Sequence, residues 1–217
     1  MAREFIVHKN TCLRKSIKGY HNLYYTGFKT EGNPDFLNAL KNTFNNTNIN
    51  MLNSAKEEVE KILLDDIPAI MKKNNLEECS IVCVPRAKAL ASYTEKQLFF
   101  QSAVGNAASK IKGAIDASKS ITRTVNTKTT HLKNSQNIKN DGDLPYPGIT
   151  SDTCTVDLNN IKNKDIILVD DIYTISANVD EDCIQFLLDN GARTVIFYAI
   201  AYTDRLASNL QDYDAPF

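Results

Sequence analysis

The chain has 217 residues, of which 42% are hydrophobic and 24% charged, and its formal net charge at pH 7 is −1. This length and composition are ordinary for one globular domain with a sizeable core. The small net charge gives no general attraction to nucleic acid, so we expect no direct nucleic-acid binding. Residues 1–18 contain no apolar signal core, and no apolar run reaches the roughly 20 residues of a membrane helix. We therefore expect a cytoplasmic protein with no membrane partner.

The five cysteines are dispersed and odd in number, which does not indicate a disulfide framework. Cys79 and Cys83 lie at the entry and in the interior of one apolar run, where a strand would not aim them at a shared metal. With three histidines and no CxxC pair, we do not expect a structural zinc site.

The first half of the chain predicts strands and a long helix. Residues 20–28 are aromatic and are followed by turn residues, so we predict a hairpin or short edge strands there. Apolar spacing predicts a helix over residues 51–74, with Asn53 or Ser54 as its N-cap and Pro68 kinking or dividing it. The adjacent Asp65 and Asp66 are interpreted as part of its solvated face.

The middle of the chain combines one clear strand with a long polar segment. Residues 80–84 (SIVCV) form a continuous apolar run, which is typical of a buried parallel strand. Residues 96–115 return to helical spacing. Residues 120–158 are polar without clear periodicity, and a segment of this length in a compact domain is usually functional or mobile.

The last third predicts a strand, a helix and a second strand. Residues 165–169 (DIILV) form a buried strand, a helix begins near Asn178, Gly191 suits its C-terminal cap, and residues 194–202 form the next strand. Three acidic residues in the first helical turn are favourably placed for the helix dipole. The unit implies an α/β fold with a central parallel sheet flanked by helices and a right-handed crossover.

Two carboxylates, Asp170 and Asp171, directly follow this buried strand. Ligands of open α/β sheets gather at the carboxyl ends of strands, where acidic residues accept hydrogen bonds from sugar hydroxyls or hold a metal ion. The next residues lead into a helix N-terminus, whose unpaired N–H groups and positive dipole favour an anion. Thr174, Ser176 and Asn178 add side-chain donors, so the segment predicts a sugar-phosphate site.

Other readings of the acid pair remain open. Paired acids after an apolar strand also occur in Walker B motifs and in receiver domains. The chain has no GxxxxGK[ST] motif, which argues against a P-loop enzyme, and a receiver domain would place its acidic pair after the first strand. A purely structural role of Asp170 and Asp171 in the turn is a further alternative.

The segment IILVDDIYTISANV resembles the phosphoribosyl diphosphate signature of type I phosphoribosyltransferases. The resemblance implies that Asp170 and Asp171 bind the ribose 2- and 3-hydroxyls. It implies that a phosphate loop cradles the 5-phosphate with residues Thr174, Ile175, Ser176, Ala177 and Asn178. The loop departs from the family pattern at Ile175, where Thr is usual, at Ser176, where Gly is usual, and at Asn178, where Thr or Ser is commonest.

Two more segments carry the resemblance. The run IVCVPRAK is similar to the strand and loop that hold the pyrophosphate in this family, which assigns Arg86, Ala87 and Lys88 to that group. Residues 123–134 stand where the family has a flexible catalytic loop. This implies four candidates, with Lys128 as the catalytic one: Lys128, Thr129, His131 and Lys133. The order of elements over residues 20–202 is similar to that of competence protein F-like members, without their N-terminal zinc-finger cysteines.

The resemblance implies a type I phosphoribosyltransferase fold, with a small N-terminal hood in residues 1–50 and the core in residues 51–217. It implies a glycosyltransferase that binds phosphoribosyl diphosphate with Mg²⁺, which Asp170 and Asp171 meet through the ligand, and that transfers phosphoribosyl to a base or an amine. The altered phosphate loop favours an alternative, a catalytically degenerate sensor or partner module that binds a nucleotide or phosphoribosyl diphosphate. A role in DNA uptake is suggested by the competence-type similarity alone. A homodimer is the default assembly.

Overall fold

The computed structural model describes residues 1–129, 148–175 and 177–203. Its eight strands are β1 (Arg3–Val7), β2 (Ile17–Tyr25), β3 (Cys79–Cys83), β4 (Ala114–Asp116), β5 (Ile121–Arg123), β6 (Cys154–Val156), β7 (Asp165–Tyr173) and β8 (Thr194–Thr203). Its helices are α1 (Asp35–Lys41), α2 (Ile49–Lys73), α3 (Phe99–Ala108), α4 (Leu158–Ile161) and α5 (Val179–Asp189), with 3₁₀ turns at Leu90–Ser92 and Glu95–Leu98.

Six of these strands form one sheet in the order β1-β2-β8-β7-β3-β4. Every neighbouring pair is parallel except β1 with β2, which is antiparallel. Strands β5 and β6 form a separate antiparallel pair. The predicted α/β architecture with a mainly parallel central sheet flanked by helices is therefore confirmed.

The two faces of the sheet pack against different helices. Along β7, Ile167 and Val169 join a core with α1, α2 and α3, whereas Ile166 and Leu168 join a second core with α5. All four side chains are fully buried. Because both faces are covered, the strand needs apolar residues at successive positions, which explains the continuous apolar runs of the sequence.

The N-terminal strands belong to this same sheet. Strand β2 pairs with β1 on one side and with β8 on the other, so the aromatic segment at residues 20–28 supplies an interior strand, and the predicted edge position is wrong. Tyr20 is 1% exposed. Strand β2 lies inside the sheet because it pairs with β8, which is nearly 180 residues away in the chain. The residue spacing within the segment does not indicate that partner. The division into a hood of residues 1–50 and a core of residues 51–217 stays a prediction.

The long helix α2 is confirmed but begins earlier than predicted. Its N-cap is Asn48, whose side chain accepts a hydrogen bond from the backbone N–H of Asn50 at 2.8 Å, in place of Asn53 or Ser54. The helix continues through Pro68, so the predicted division there is wrong. Burial of one whole face of the helix outweighs the hydrogen bond that a proline removes.

The adjacent Asp65 and Asp66 differ in environment. Asp65 is exposed as predicted, but Asp66 is 2% exposed. The Asp66 carboxylate accepts hydrogen bonds from the Tyr198 hydroxyl at 2.8 Å and from the Asn22 side-chain amide at 2.6 Å. The interpretation of both acids as a solvated face is wrong for Asp66, because donors on β2 and β8 compensate its burial.

The middle segment contains more regular structure than predicted. Helix α3 ends at Ala108, and β4 at Ala114–Asp116 takes up what was predicted as its last turn. The two ends of the polar segment at residues 120–158 are joined by the pairing of β5 with β6. No helix in the described ranges is long and apolar enough to cross a membrane.

Candidate functional site

The acid pair lies within β7 rather than after it. Strand β7 stays paired with β8 as far as Tyr173 opposite Tyr202, whereas its pairing with β3 ends at Val169 opposite Cys83. The backbone N–H of Val84 makes the last bond between these strands, to the Val169 carbonyl at 3.0 Å. Asp170 and Asp171 therefore stand where β3 leaves the sheet, and both are half-buried.

The Asp170 carboxyl belongs to a group of interacting acids. Desolvation, reinforced by the negative charge of Asp171, raises the pKa of Asp170 to about 7. Desolvation and the neighbouring Asp170 charge hold the pKa of Asp180 well above its usual range. The two carboxyls hydrogen-bond, an arrangement that lowers the pKa of Asp170 and raises that of Asp180. A proton on Asp180 that is donated to Asp170 would account for both directions.

The other first-turn acids of α5 hold structural hydrogen bonds. Glu181 is 2% exposed and accepts a bond from the Tyr173 hydroxyl at 2.8 Å. Asp182 accepts a bond from the backbone N–H of Ile149 at 2.7 Å. Desolvation raises the pKa of both carboxyls. Their place in the first helical turn is as predicted, and their burial is an effect of the surrounding fold.

The described residues that were predicted to cradle the phosphate, Thr174, Ile175, Ala177 and Asn178, lead from β7 into α5. The backbone N–H of Ala177 donates to the Thr174 carbonyl at 2.9 Å, and the hydroxyls of Thr174 and Thr203 lie 2.7 Å apart. Asn178 has a φ of +57°, and its side-chain oxygen accepts from the Asn10 side-chain amide at 3.0 Å. The Ile175 side chain is 42% exposed.

Of the side-chain donors predicted for the phosphate, the Thr174 hydroxyl already contacts Thr203, whereas Asn178 is engaged through its side-chain oxygen, which accepts from Asn10. The third, Ser176, lies outside the described residues. The start of α5 still directs its first-turn N–H groups toward the loop, as every helix N-terminus does. An anion bound here would thus rely mainly on backbone donors.

Arg86 braces the loops around the site. Its Nη1 donates to the Gln97 carbonyl and its Nη2 to the Lys41 carbonyl, both at 2.6 Å. Its guanidinium also lies 4.6 Å from the ring centroid of Tyr93. The predicted role of Arg86 in neutralising a pyrophosphate is untested, and these contacts give it a structural role as well.

Ala87 and Lys88 contact the polar segment. The Ala87 carbonyl accepts from the Thr127 backbone N–H at 2.8 Å and from its hydroxyl at 3.0 Å, and the Lys88 Nζ donates to the Thr127 carbonyl at 2.9 Å. Lys128 follows this junction directly and is exposed. Thr129 is half-buried, and the candidates His131 and Lys133 lie outside the described residues.

Sequence reasoning missed Lys41, the last residue of α1. Its positive charge acts on Asp170 and lowers the pKa of that carboxyl, against the larger effect of desolvation. Its Nζ lies 5.7 Å from the ring centroid of Tyr25, the residue that ends β2. The position of Lys41 depends on the pairing of β2 with β8, which gives no local signal in the sequence.

Metal binding by the protein alone has no visible basis in the described ranges, where no three His, Cys, Asp or Glu side chains are arranged to hold an ion. Mg²⁺ commonly uses one or two carboxylates together with phosphate oxygens of a ligand. Asp170 and Asp171 fit that pattern. Comparison with known proteins shows no matching family model and no matching curated protein.

Proposed function

We propose that this protein is a phosphoribosyltransferase of the type I fold that binds phosphoribosyl diphosphate and transfers phosphoribosyl to a base or an amine. One observation carries the proposal. Asp170 and Asp171 are consecutive residues of β7 at the point where its pairing with β3 has ended, shortly before the N-terminus of α5. The mainly parallel sheet and the signature resemblance of residues 166–179 are compatible with it.

This geometry suits a sugar that carries a phosphate. The carboxylates of Asp170 and Asp171 would accept hydrogen bonds from the ribose 2- and 3-hydroxyls, and backbone N–H groups at the start of α5 would bind the 5-phosphate. With a pKa of about 7, the Asp170 carboxyl is divided between its ionised and protonated forms near neutral pH. Hydrogen bonds from the ribose hydroxyls would stabilise the ionised form.

In the reaction, the bond between C1 of the ribose and the pyrophosphate oxygen breaks, and pyrophosphate leaves with the bonding electron pair. The acceptor nitrogen attacks C1, which carries positive charge in the transition state, and any proton on that nitrogen passes to water. The protein places the ribose and stabilises charge, and no side chain acts as a nucleophile. Mg²⁺ held through the ligand near Asp170 and Asp171 would supply neutralising charge. Lys128 is proposed as the catalytic residue of the polar segment, as the family resemblance implies.

A second candidate is a protein that binds this ligand without transferring it. The exposed Ile175 removes a hydroxyl from the phosphate loop, the Thr174 hydroxyl already contacts Thr203, and Arg86 already bonds two carbonyls. These features weaken the predicted binding of the phosphate, and they affect the predicted binding of the ribose less. They favour a sensor or partner module that binds phosphoribosyl diphosphate or a nucleotide.

Calorimetric titration of phosphoribosyl diphosphate with Mg²⁺ tests the site. We expect the wild type to bind, and Asp170→Asn and Asp171→Asn each to bind roughly 10- to 100-fold more weakly, as loss of a charged hydrogen-bond acceptor implies. Asp165→Asn is the matched control, since Asp165 lies at the other end of the same strand. A folded wild type that does not bind would refute the ligand assignment.

Pyrophosphate release then separates the two candidates. Wild-type protein with Mg²⁺ and a panel of bases and amines should release pyrophosphate at a rate that depends on the acceptor if it is a transferase. Binding without acceptor-dependent release across that panel would favour the sensor or partner module.

A further inference from the structure

Lys41 bridges the two sides of the carboxyl edge of the sheet. Its Nζ lies over the ring of Tyr25, at the end of β2, and its carbonyl accepts the Arg86 Nη2 hydrogen bond at 2.6 Å, just after β3. In the sheet order, β8 and β7 lie between β2 and β3. Lys41 thus contacts groups that follow or end the strands on both sides of β8 and β7, and β7 carries Asp170 and Asp171.

Hydrogen bonds from Arg86 and Gln97 hold the backbone of the segment that carries Lys41. The buried Gln97 donates from its side-chain amide to the carbonyls of Asn42 and Thr43, both at 3.2 Å. Arg86 bonds the carbonyls of Lys41 and Gln97 together. The backbone at the end of α1 is thus anchored at three successive carbonyls, so the Lys41 side chain extends from a rigid support.

The Lys41 ammonium is available to a ligand. Within the described ranges it makes no hydrogen bond and no ion pair within 4.0 Å, and its one close partner is the Tyr25 ring. Its charge nonetheless acts on Asp170, which places it near the acid pair. An ammonium group in this position offers three N–H donors to an anion.

The neighbouring cations are already engaged. Arg86 bonds two backbone carbonyls, and the Lys88 Nζ donates to the Thr127 carbonyl at 2.9 Å. Arg123 is 4% exposed and donates to the carbonyls of Arg86 and Gly148, both at 2.8 Å. Recruiting any of them for a diphosphate would break contacts that hold these loops, whereas recruiting Lys41 breaks none of its own hydrogen bonds.

We propose that Lys41 is the cation that binds the diphosphate of the ligand at this site. The inference rests on the proposed function for the identity of the ligand and adds the residue that recognises its leaving group. Contact with the departing pyrophosphate would make Lys41 a catalytic residue as well as a binding one, because negative charge builds on that group as the C1–O bond breaks.

The test uses inorganic pyrophosphate with Mg²⁺ as one probe and phosphoribosyl diphosphate with Mg²⁺ as the other, both by calorimetry. Lys41→Met keeps the apolar stem and removes the charge, and Lys41→Arg restores a cation. Lys61→Met on the exposed face of α2 is the matched control. We expect Lys41→Met to weaken both probes about 10- to 100-fold, Lys41→Arg to recover most of the loss, and Lys61→Met to bind as the wild type does.

Each result decides between the two proposals. Equal binding by Lys41→Met and wild type would overturn the role of Lys41 and leave the proposed function standing. If the wild type binds pyrophosphate but not phosphoribosyl diphosphate, and Lys41→Met loses the binding of pyrophosphate, the role of Lys41 is supported. The same result refutes phosphoribosyl diphosphate as the ligand. A folded wild type that binds neither probe would overturn both, and thermal unfolding of each variant verifies folding.

Discussion

The two ends of β7 hold aspartates in opposite surroundings. At the amino end, Asp165 accepts hydrogen bonds from the Arg193 Nε at 2.9 Å and from the Thr194 hydroxyl at 2.7 Å, and the Arg193 contact lowers its pKa. At the carboxyl end, desolvation and neighbouring acids raise the pKa of Asp170. A carboxylate with its cation stabilises the fold, whereas clustered acids with raised pKa values mark a candidate functional site.

The largest expected effect is an opposite pH dependence at the two ends. The pKa of Asp170 is raised to about 7, so the folded protein favours the protonated carboxyl. The stability that this form contributes is fully present below about pH 4 and is lost as the pH rises through 7. Asp170→Asn stays neutral and should be more stable than the wild type at pH 8, by on the order of 2–4 kcal/mol, and nearly equal at pH 4. Urea unfolding across this range measures the difference.

Asp165→Asn provides the contrast for that experiment. Its lowered pKa stabilises the protein above the unfolded value and loses this effect only as the pH falls through the folded value, so the variant should be less stable than the wild type at both pH 5 and pH 8. Parallel pH profiles of the wild type and Asp170→Asn would contradict the acid cluster at the carboxyl end.

Asp66 is a buried aspartate outside the acid cluster of Asp170, Asp171 and Asp180. It is 2% exposed, like Asp180, but it accepts bonds from Tyr198 and Asn22. Asp66→Ala leaves two donors unsatisfied and should lower the free energy of unfolding by about 1–3 kcal/mol. Asp65→Ala, its exposed neighbour, should change it by less than about 0.5 kcal/mol. Chemical denaturation of the pair measures both, and equal losses would contradict the burial difference.

The smallest effect is expected at the amino end of β7. The Arg193 side chain is 62% exposed, so its pair with Asp165 is screened by solvent. Arg193→Gln should lower the free energy of unfolding only slightly, and 0.5 M NaCl should reduce the wild-type advantage. Urea unfolding at two salt concentrations measures the difference. A loss as large as that of Asp66→Ala, or no sensitivity to salt, would contradict a solvent-screened surface pair at this end of β7.

The core strands and α5 could be predicted because their signals are local. Successive apolar residues in β3 and β7 identify strands that are buried on both faces, and Gly191, with a φ of +86°, ends α5 as a residue without a side chain can. The position of Asp170 and Asp171 at the carboxyl edge followed from the same local pattern. Only their inclusion in β7, which continues to Tyr173, was missed.

The surroundings of those acids could not be predicted in the same way. The bond of Tyr198 to Asp66, the bond of Arg86 to the Lys41 carbonyl, and the effect of the Lys41 charge on Asp170 each join residues far apart in the chain. No spacing within a short window encodes such contacts.

The sequence by itself determined the alternation of strands and helices, the buried character of β3 and β7, and an acid pair at a strand end before a helix N-terminus. Those features depend on residue order within one or two turns or strands, where apolar periodicity and capping act directly. Tertiary structure alone decided that β2 lies inside the sheet, which cations near the acids are already bonded, and that the Lys41 ammonium lies over the Tyr25 ring. Strand pairing over long separations sets these contacts, because it brings together groups that have no relation along the chain.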